Sequence, residues 1–161
     1  MKTEGHFIIC VLLSYFDISI YRDIIILMVK NKLFRNTFWL LFFIGVLNLF
    51  ATYLYFYWTS SWFDILMHFL GGFWVAMVVV SLWTVFNKNK TTYPKIFTII
   101  LWVTMVGVLW EVFELWIGAT DLSDGINFIK DTLLDILMDI MGGILGTKYS
   151  YYLMDSKNKN D

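Results

Sequence analysis

Four long apolar stretches, separated by short polar breaks, dominate the hydropathy pattern of the chain. They run over about 37–58, 62–86, 94–117 and 128–152, and each reaches the roughly 20 residues that an α-helix needs to cross a bilayer. The breaks are Thr59-Ser60-Ser61, Asn87 to Tyr93, and Gly118 to Asn127. Connections this short force successive helices antiparallel, so the expected fold is all-α, an integral membrane antiparallel four-helix bundle. Gly118, just past the third stretch, reads as a helix C-cap. Ser61, with Asp64 three positions on, reads as a capping box opening the second stretch.

Residues 1–27 do not continue this pattern. Phe7 to Phe16 is apolar but too short to span, and Asp17, Arg22 and Asp23 interrupt the residues after it. A cleaved signal peptide would need a basic start, an unbroken apolar core and a small-residue cleavage site, none of which is clear. The segment reads as an extra N-terminal interfacial helix, or as an extension upstream of a start at Met28; a poor fifth span is the remaining choice. The expected organisation is therefore 1–27 as extension, 28–152 as the four-helix domain, and 153–161 as a polar tail.

Composition strengthens the membrane reading. The 161 residues are 59% hydrophobic, 20% aromatic and only 16% charged, against about 25% charged in a soluble domain. A net charge of −1 gives no reason to expect a nucleic-acid partner. A lone Cys10 excludes an intramolecular disulfide. Basic residues then orient the bundle. Lys30, Lys32 and Arg35 precede the first span, Lys88, Lys90 and Lys95 surround the second break, and Lys157 and Lys159 follow the fourth. The other two breaks carry no Lys or Arg, and Asp121 and Asp124 in the last of them read as solvated. Both ends of the four-helix unit are expected to be cytoplasmic. Lys130 alone falls near the outer end, where its stem can reach the interface. Tyr57, Trp58, Trp62 and Trp116 fit an interfacial aromatic belt.

Against this background the ionisable residues inside the spans stand out. The second span carries Asp64 and His68, the third Glu111 and Glu114, the fourth Asp131, Asp135 and Asp139. Each such group costs roughly 2.5–3.5 kcal/mol at a span centre. Their spacings are i,i+4, i,i+3 and i,i+4,i+8, so each set shares one helix face, and antiparallel packing brings the three sets to the same, outer side of the membrane. Lipid cannot solvate such faces, so they are expected to converge on one pocket that needs a cation or shared protons. Some roles are ordinary: Asp131 near its helix start is favoured by the dipole, and His68 can serve as a helix-to-helix hydrogen-bond donor. Glu111 and Glu114 lie near a helix C-terminus, where the dipole disfavours them. The expected metal ligands are His68, Glu111, Glu114, Asp135 and Asp139, with Asp64 and Asp131 supporting from behind and Asp64 orienting the His68 ring. Glu111 and Glu114 are the candidate catalytic groups. Gly72 and Ala76, and Gly142 and Gly146 beside Gly143, read as points of close helix approach. No phosphate loop, nucleophile elbow or His-Glu-x-x-His helix is present.

The stretches Trp62-Phe63-Asp64-x-x-x-His68-Phe69-Leu70-Gly71-Gly72, Trp110-Glu111-x-x-Glu114, and Asp131-x-x-x-Asp135-x-x-x-Asp139 with Gly142-Gly143 resemble small bacterial inner-membrane proteins of the VanZ-like and YjdF-like kind. The resemblance covers most of 28–150. It implies an envelope role without a settled reaction, and Asp139 stands where VanZ-like chains typically carry Asn.

Three functions compete. A divalent cation, zinc for a His-containing set or magnesium, calcium or manganese for an all-oxygen one, could act with an activated water on a lipid or envelope substrate. The acids could instead form a proton or cation relay in a transporter, although one short bundle without an inverted repeat argues against this unless an oligomer supplies the second half. Finally, the cluster could serve only assembly, in a non-catalytic envelope factor.

Overall fold

The computed structural model describes residues 31–87, 93–120 and 122–158. The described chain is helical. α1 spans Lys32–Tyr53, the short α2 Phe56–Thr59, α3 Ser61–Phe86, α4 Ile96–Ile117 and α5 Ile126–Asn158, with a 3-10 turn at Leu122–Asp124 before α5. The expectations for residues 1–30, for Lys88, Lys90, Asp121 and Lys159, and for the side chains of Trp58, Ser61, Asp124 and Lys157 lie outside the described residues.

Local chemistry sets most helix ends. Asn31 caps α1, its side-chain oxygen accepting from the Leu33 N–H at 3.0 Å. α1 stops at Tyr53, short of Trp58, because Tyr55 takes a left-handed conformation (φ 57°) and turns the chain into α2. The N-cap of α3 is Ser60, in extended backbone and without a side-chain cap bond, so Ser61 opens the helix itself rather than capping it. Gly118 does end α4, at φ 73°, with the Ala119 N–H bonded to Glu114 O at 2.9 Å.

α1, α3 and α4 are each long and apolar enough to cross a membrane. α5 has the length, at 33 residues, but is more polar, and it sits where polarity is tolerated, packed chiefly against α3 and then α4. Glycines allow the α3–α5 contact. A Cβ at Gly142 would fall 2.0 Å from Phe69 O, and one at Gly146 2.4 Å from Phe73 O, so the backbones touch with nothing between them. These pairings run in the same sense, so α3 and α5 are parallel. Gly107 beside Asp139 and Val103 beside Gly143 run in the opposite sense, so α4 is antiparallel to both. α1 crosses α3 antiparallel, with Thr37 Oγ1 and Ser81 Oγ 3.5 Å apart near the chain ends. The bundle is an up-down-up-down one.

Apolar side chains fill the half nearer the termini, where Leu33, Ala76, Met77, Val80, Ile99 and Val103 are buried together. Large apolar groups such as Phe42, Trp102, Leu109 and Trp116 point outward, the distribution expected when lipid rather than water surrounds the bundle.

Candidate functional site

The other half of the bundle, beside the 54–60 and 118–125 connectors, holds the ionisable residues. His68 is their hub. One helical turn beyond Asp64 on α3, it is 5% exposed and faces both α4 and α5. Its Nδ1 lies 3.3 Å from Asp139 Oδ2, and its Nε2 lies 3.7 Å from Glu111 Oε1. Glu111 is 5% exposed, Asp135 2% and Asp139 6%. Glu114 and Asp64 are half-buried, and Asp131 is exposed.

Ligand-capable atoms converge in three overlapping sets. His68, Glu111 and Asp135 form one, Asp64, His68 and Glu114 a second, and Asp64, Asp131 and Asp135 a third; within each set the donor atoms lie within 4.8 Å of one another. All three members of the first set are buried, and each presents a buried atom without a hydrogen-bond partner: His68 Nε2, Glu111 Oε1 and Asp135 Oδ1. Such atoms are costly to leave unpaired, roughly 1–3 kcal/mol each and more when charged. Among the described residues the ion pairs of this cluster are those of His68 with Asp139 and Glu111; no lysine or arginine joins it. The chain therefore carries carboxylate and histidine groupings able to hold a metal ion, because each set offers neighbouring donors of the types metals take.

Support around the cluster is specific. Thr132 Oγ1 donates to Glu111 Oε2 at 2.8 Å, leaving Oε1 free for the pocket. Trp110 Nε1 donates to Glu114 Oε1 at 2.9 Å. Asp139 sits in a niche between helices: a Cβ at Gly107 would lie 2.3 Å from its Oδ2, and one at Gly72 2.0 Å from its backbone oxygen. All seven expected side chains are thus placed at one end of the bundle. The contact to the His68 ring nitrogen comes from Asp139, while Asp64 joins the two more open sets. Thr132 and Gly107 were not anticipated, and Trp110 only as part of the Trp110-Glu111-x-x-Glu114 stretch, though helical spacing pointed to them: Thr132 shares a face with Asp135 and Asp139, Trp110 is i,i+4 with Glu114, and Gly107 is i,i+4 with Glu111. Asp131, expected in the first turns of its helix, lies in the second turn of α5, which starts at Ile126, where the dipole effect has faded.

A family of membrane proteins, described as "Predicted membrane protein (DUF2238)", matches residues 5–156. The chain belongs to this family. The match to the DUF2238 family begins upstream of Met28 and runs through all four long helices. It supports a membrane protein family of unknown function and does not single out the VanZ-like or YjdF-like groups. No curated protein and no solved structure matches the chain.

Proposed function

We propose that this DUF2238 member binds a divalent cation within the membrane, with His68, Glu111 and Asp135 as ligands, and acts on a lipid or envelope substrate. The observation that carries the proposal is the grouping of His68, Glu111 and Asp135, all buried and each with an unpartnered side-chain atom, with one donor atom of each within 4.8 Å of the others. Asp139 supports the ring from the opposite nitrogen, as carboxylates commonly do behind a metal-bound histidine. One nitrogen and two oxygens suit zinc, and such a cation with an open position supplies an activated water. Glu114, tethered by Trp110 and grouped with His68, is the proton acceptor in this reading.

A lipid substrate is favoured by an apolar cavity of about 500 Å³ between α3 and α4, lined by Trp74, Val78, Leu82, Trp83, Trp102 and Val106. Its lining runs from Trp74 and Val106, the end nearer the acidic cluster, to Asn87 and Pro94 at the opposite end of the bundle. An acyl chain is the occupant that fits a cavity of this lining at membrane depth. In this reading both ends of the four-helix unit are cytoplasmic and the site opens toward the outer leaflet of the inner membrane, in keeping with the lysine and arginine distribution.

A relay across the membrane is less well supported. The ionisable run ends at Asp139, and the next threonine and serine on α5, Thr147 and Ser150, donate to the Gly143 and Gly146 carbonyls of their own helix. Metal analysis of protein purified in mild detergent tests the proposal. His68→Ala should weaken binding by about 10-fold or more, and Asp121→Asn, in the connector, should leave it unchanged. Wild-type protein that holds no divalent metal, and whose thermal midpoint does not move when zinc or manganese is supplied, would overturn it.

A further inference from the structure

The cluster contains more donors than one ion can use. We infer that it holds two divalent cations, the second in an all-oxygen seat made by Asp64, Asp131 and Asp135 and linked to the first through Asp135. This rests on the single-cation reading and extends it.

Asp135 decides the geometry. It belongs both to the buried His68–Glu111–Asp135 set and to the outer Asp64–Asp131–Asp135 set. It is 2% exposed, and its Oδ1 has no hydrogen-bond partner. A carboxylate has two oxygens, and one buried between two donor sets can give one oxygen to each. Ions bridged in this way lie about 3.5–4 Å apart.

Charge balance points the same way. The three sets contain five carboxylates, Asp64, Glu111, Glu114, Asp131 and Asp135, and Asp139 adds a sixth, paired with His68. One divalent ion offsets two negative charges and leaves the others facing one another in a poorly screened space. A second ion removes most of that repulsion. Asp131 has no competing helix-terminal role, since α5 carries no acidic residue in its first turn and the dipole effect fades within that turn.

The seats differ in chemistry. The inner has an imidazole and is buried. The outer has only oxygens and an exposed member, Asp131, so it suits a hard cation that keeps some water, such as magnesium, manganese or calcium.

Manganese is the probe that reads both occupancy and spacing. Wild-type protein titrated with Mn²⁺ in detergent should take up two equivalents, and its electron paramagnetic resonance spectrum should change from an isolated-ion signal to a spin-coupled one as the second enters. Asp131→Asn should hold one equivalent with an isolated-ion spectrum, its affinity for that ion within a few-fold of wild type; Asp64→Asn should do the same. A wild type that saturates at one equivalent, or an Asp131→Asn variant that keeps two coupled ions, would overturn the second seat and leave the first standing. Protein that takes up no metal would overturn both.

Discussion

Asp139 works through two different parts of itself. Its carboxylate reaches the His68 ring at 3.3 Å, while its backbone carbonyl fills the space that Gly72 leaves empty. Removing the charge should disturb only the first function: Asp139→Asn is expected to weaken metal binding by about 10–100-fold with little change in thermal midpoint, measured by metal titration and by unfolding in detergent. Gly107→Ala presses on the same carboxylate from α4, its Cβ 2.3 Å from Oδ2, and should also lower metal affinity by displacing Asp139 from the ring. At this scale much could be read from the residues alone. Helical spacing pointed His68, Glu111, Asp135 and Asp139 inward, where they are buried, because lipid leaves such groups no alternative; Asp64 and Glu114 are half-buried and Asp131 is exposed. The partition of roles among them was not legible. Which carboxylate meets which imidazole nitrogen depends on the azimuth and axial offset of three helices, and periodicity within one helix carries neither quantity.

The α3–α5 pair shows how elements hold the site in register. With carbonyls occupying the places where Cβ atoms of Gly72, Gly142 and Gly146 would be, any side chain there must push the helices apart. Gly142→Ala should therefore destabilise the protein by about 1–3 kcal/mol and weaken metal binding as well, read from the thermal midpoint with and without manganese. At the opposite end Tyr93 ties the α3–α4 connector to α5: its hydroxyl donates to Asp155, and its ring stacks on Tyr151 at 4.8 Å. The hydrogen bond to Asp155, with some burial, pushes the Tyr93 phenol from 10.0 up to about 12. A raised folded-state value favours the protonated form, so this stabilisation is complete below about pH 10 and lost as pH rises through about 12. The alkaline fall in thermal midpoint over that window should be smaller in Tyr93→Phe. Helix number and order followed from hydropathy, yet the end of α1 did not. Its apolar run continues to Trp58, and nothing in composition marks Tyr55 as left-handed.

For the whole molecule, parallel α3 and α5 with α1 and α4 reversed place the 54–60 and 118–125 connectors on one side. Only the lysines and arginines say which side that is. A cysteine introduced at Leu122, with Cys10 replaced by serine, should react with a membrane-impermeant thiol reagent in intact cells; labelling only from the cytoplasmic face of inverted vesicles would reverse the orientation. The same arrangement sets an order in time. α3 and α4 leave the ribosome before α5, carrying His68 and Glu111, but the residues that meet them, Asp135 and Asp139, arrive on α5. Until α5 inserts, an imidazole and a carboxylate wait in the bilayer with incomplete company, and α3 keeps an open glycine face with nothing against it. Membrane quality control thus has a chemical means of telling finished chains from unfinished ones: a chain ended at residue 125 should insert and then be degraded, and pulse-chase labelling would follow its loss against the stable full-length protein.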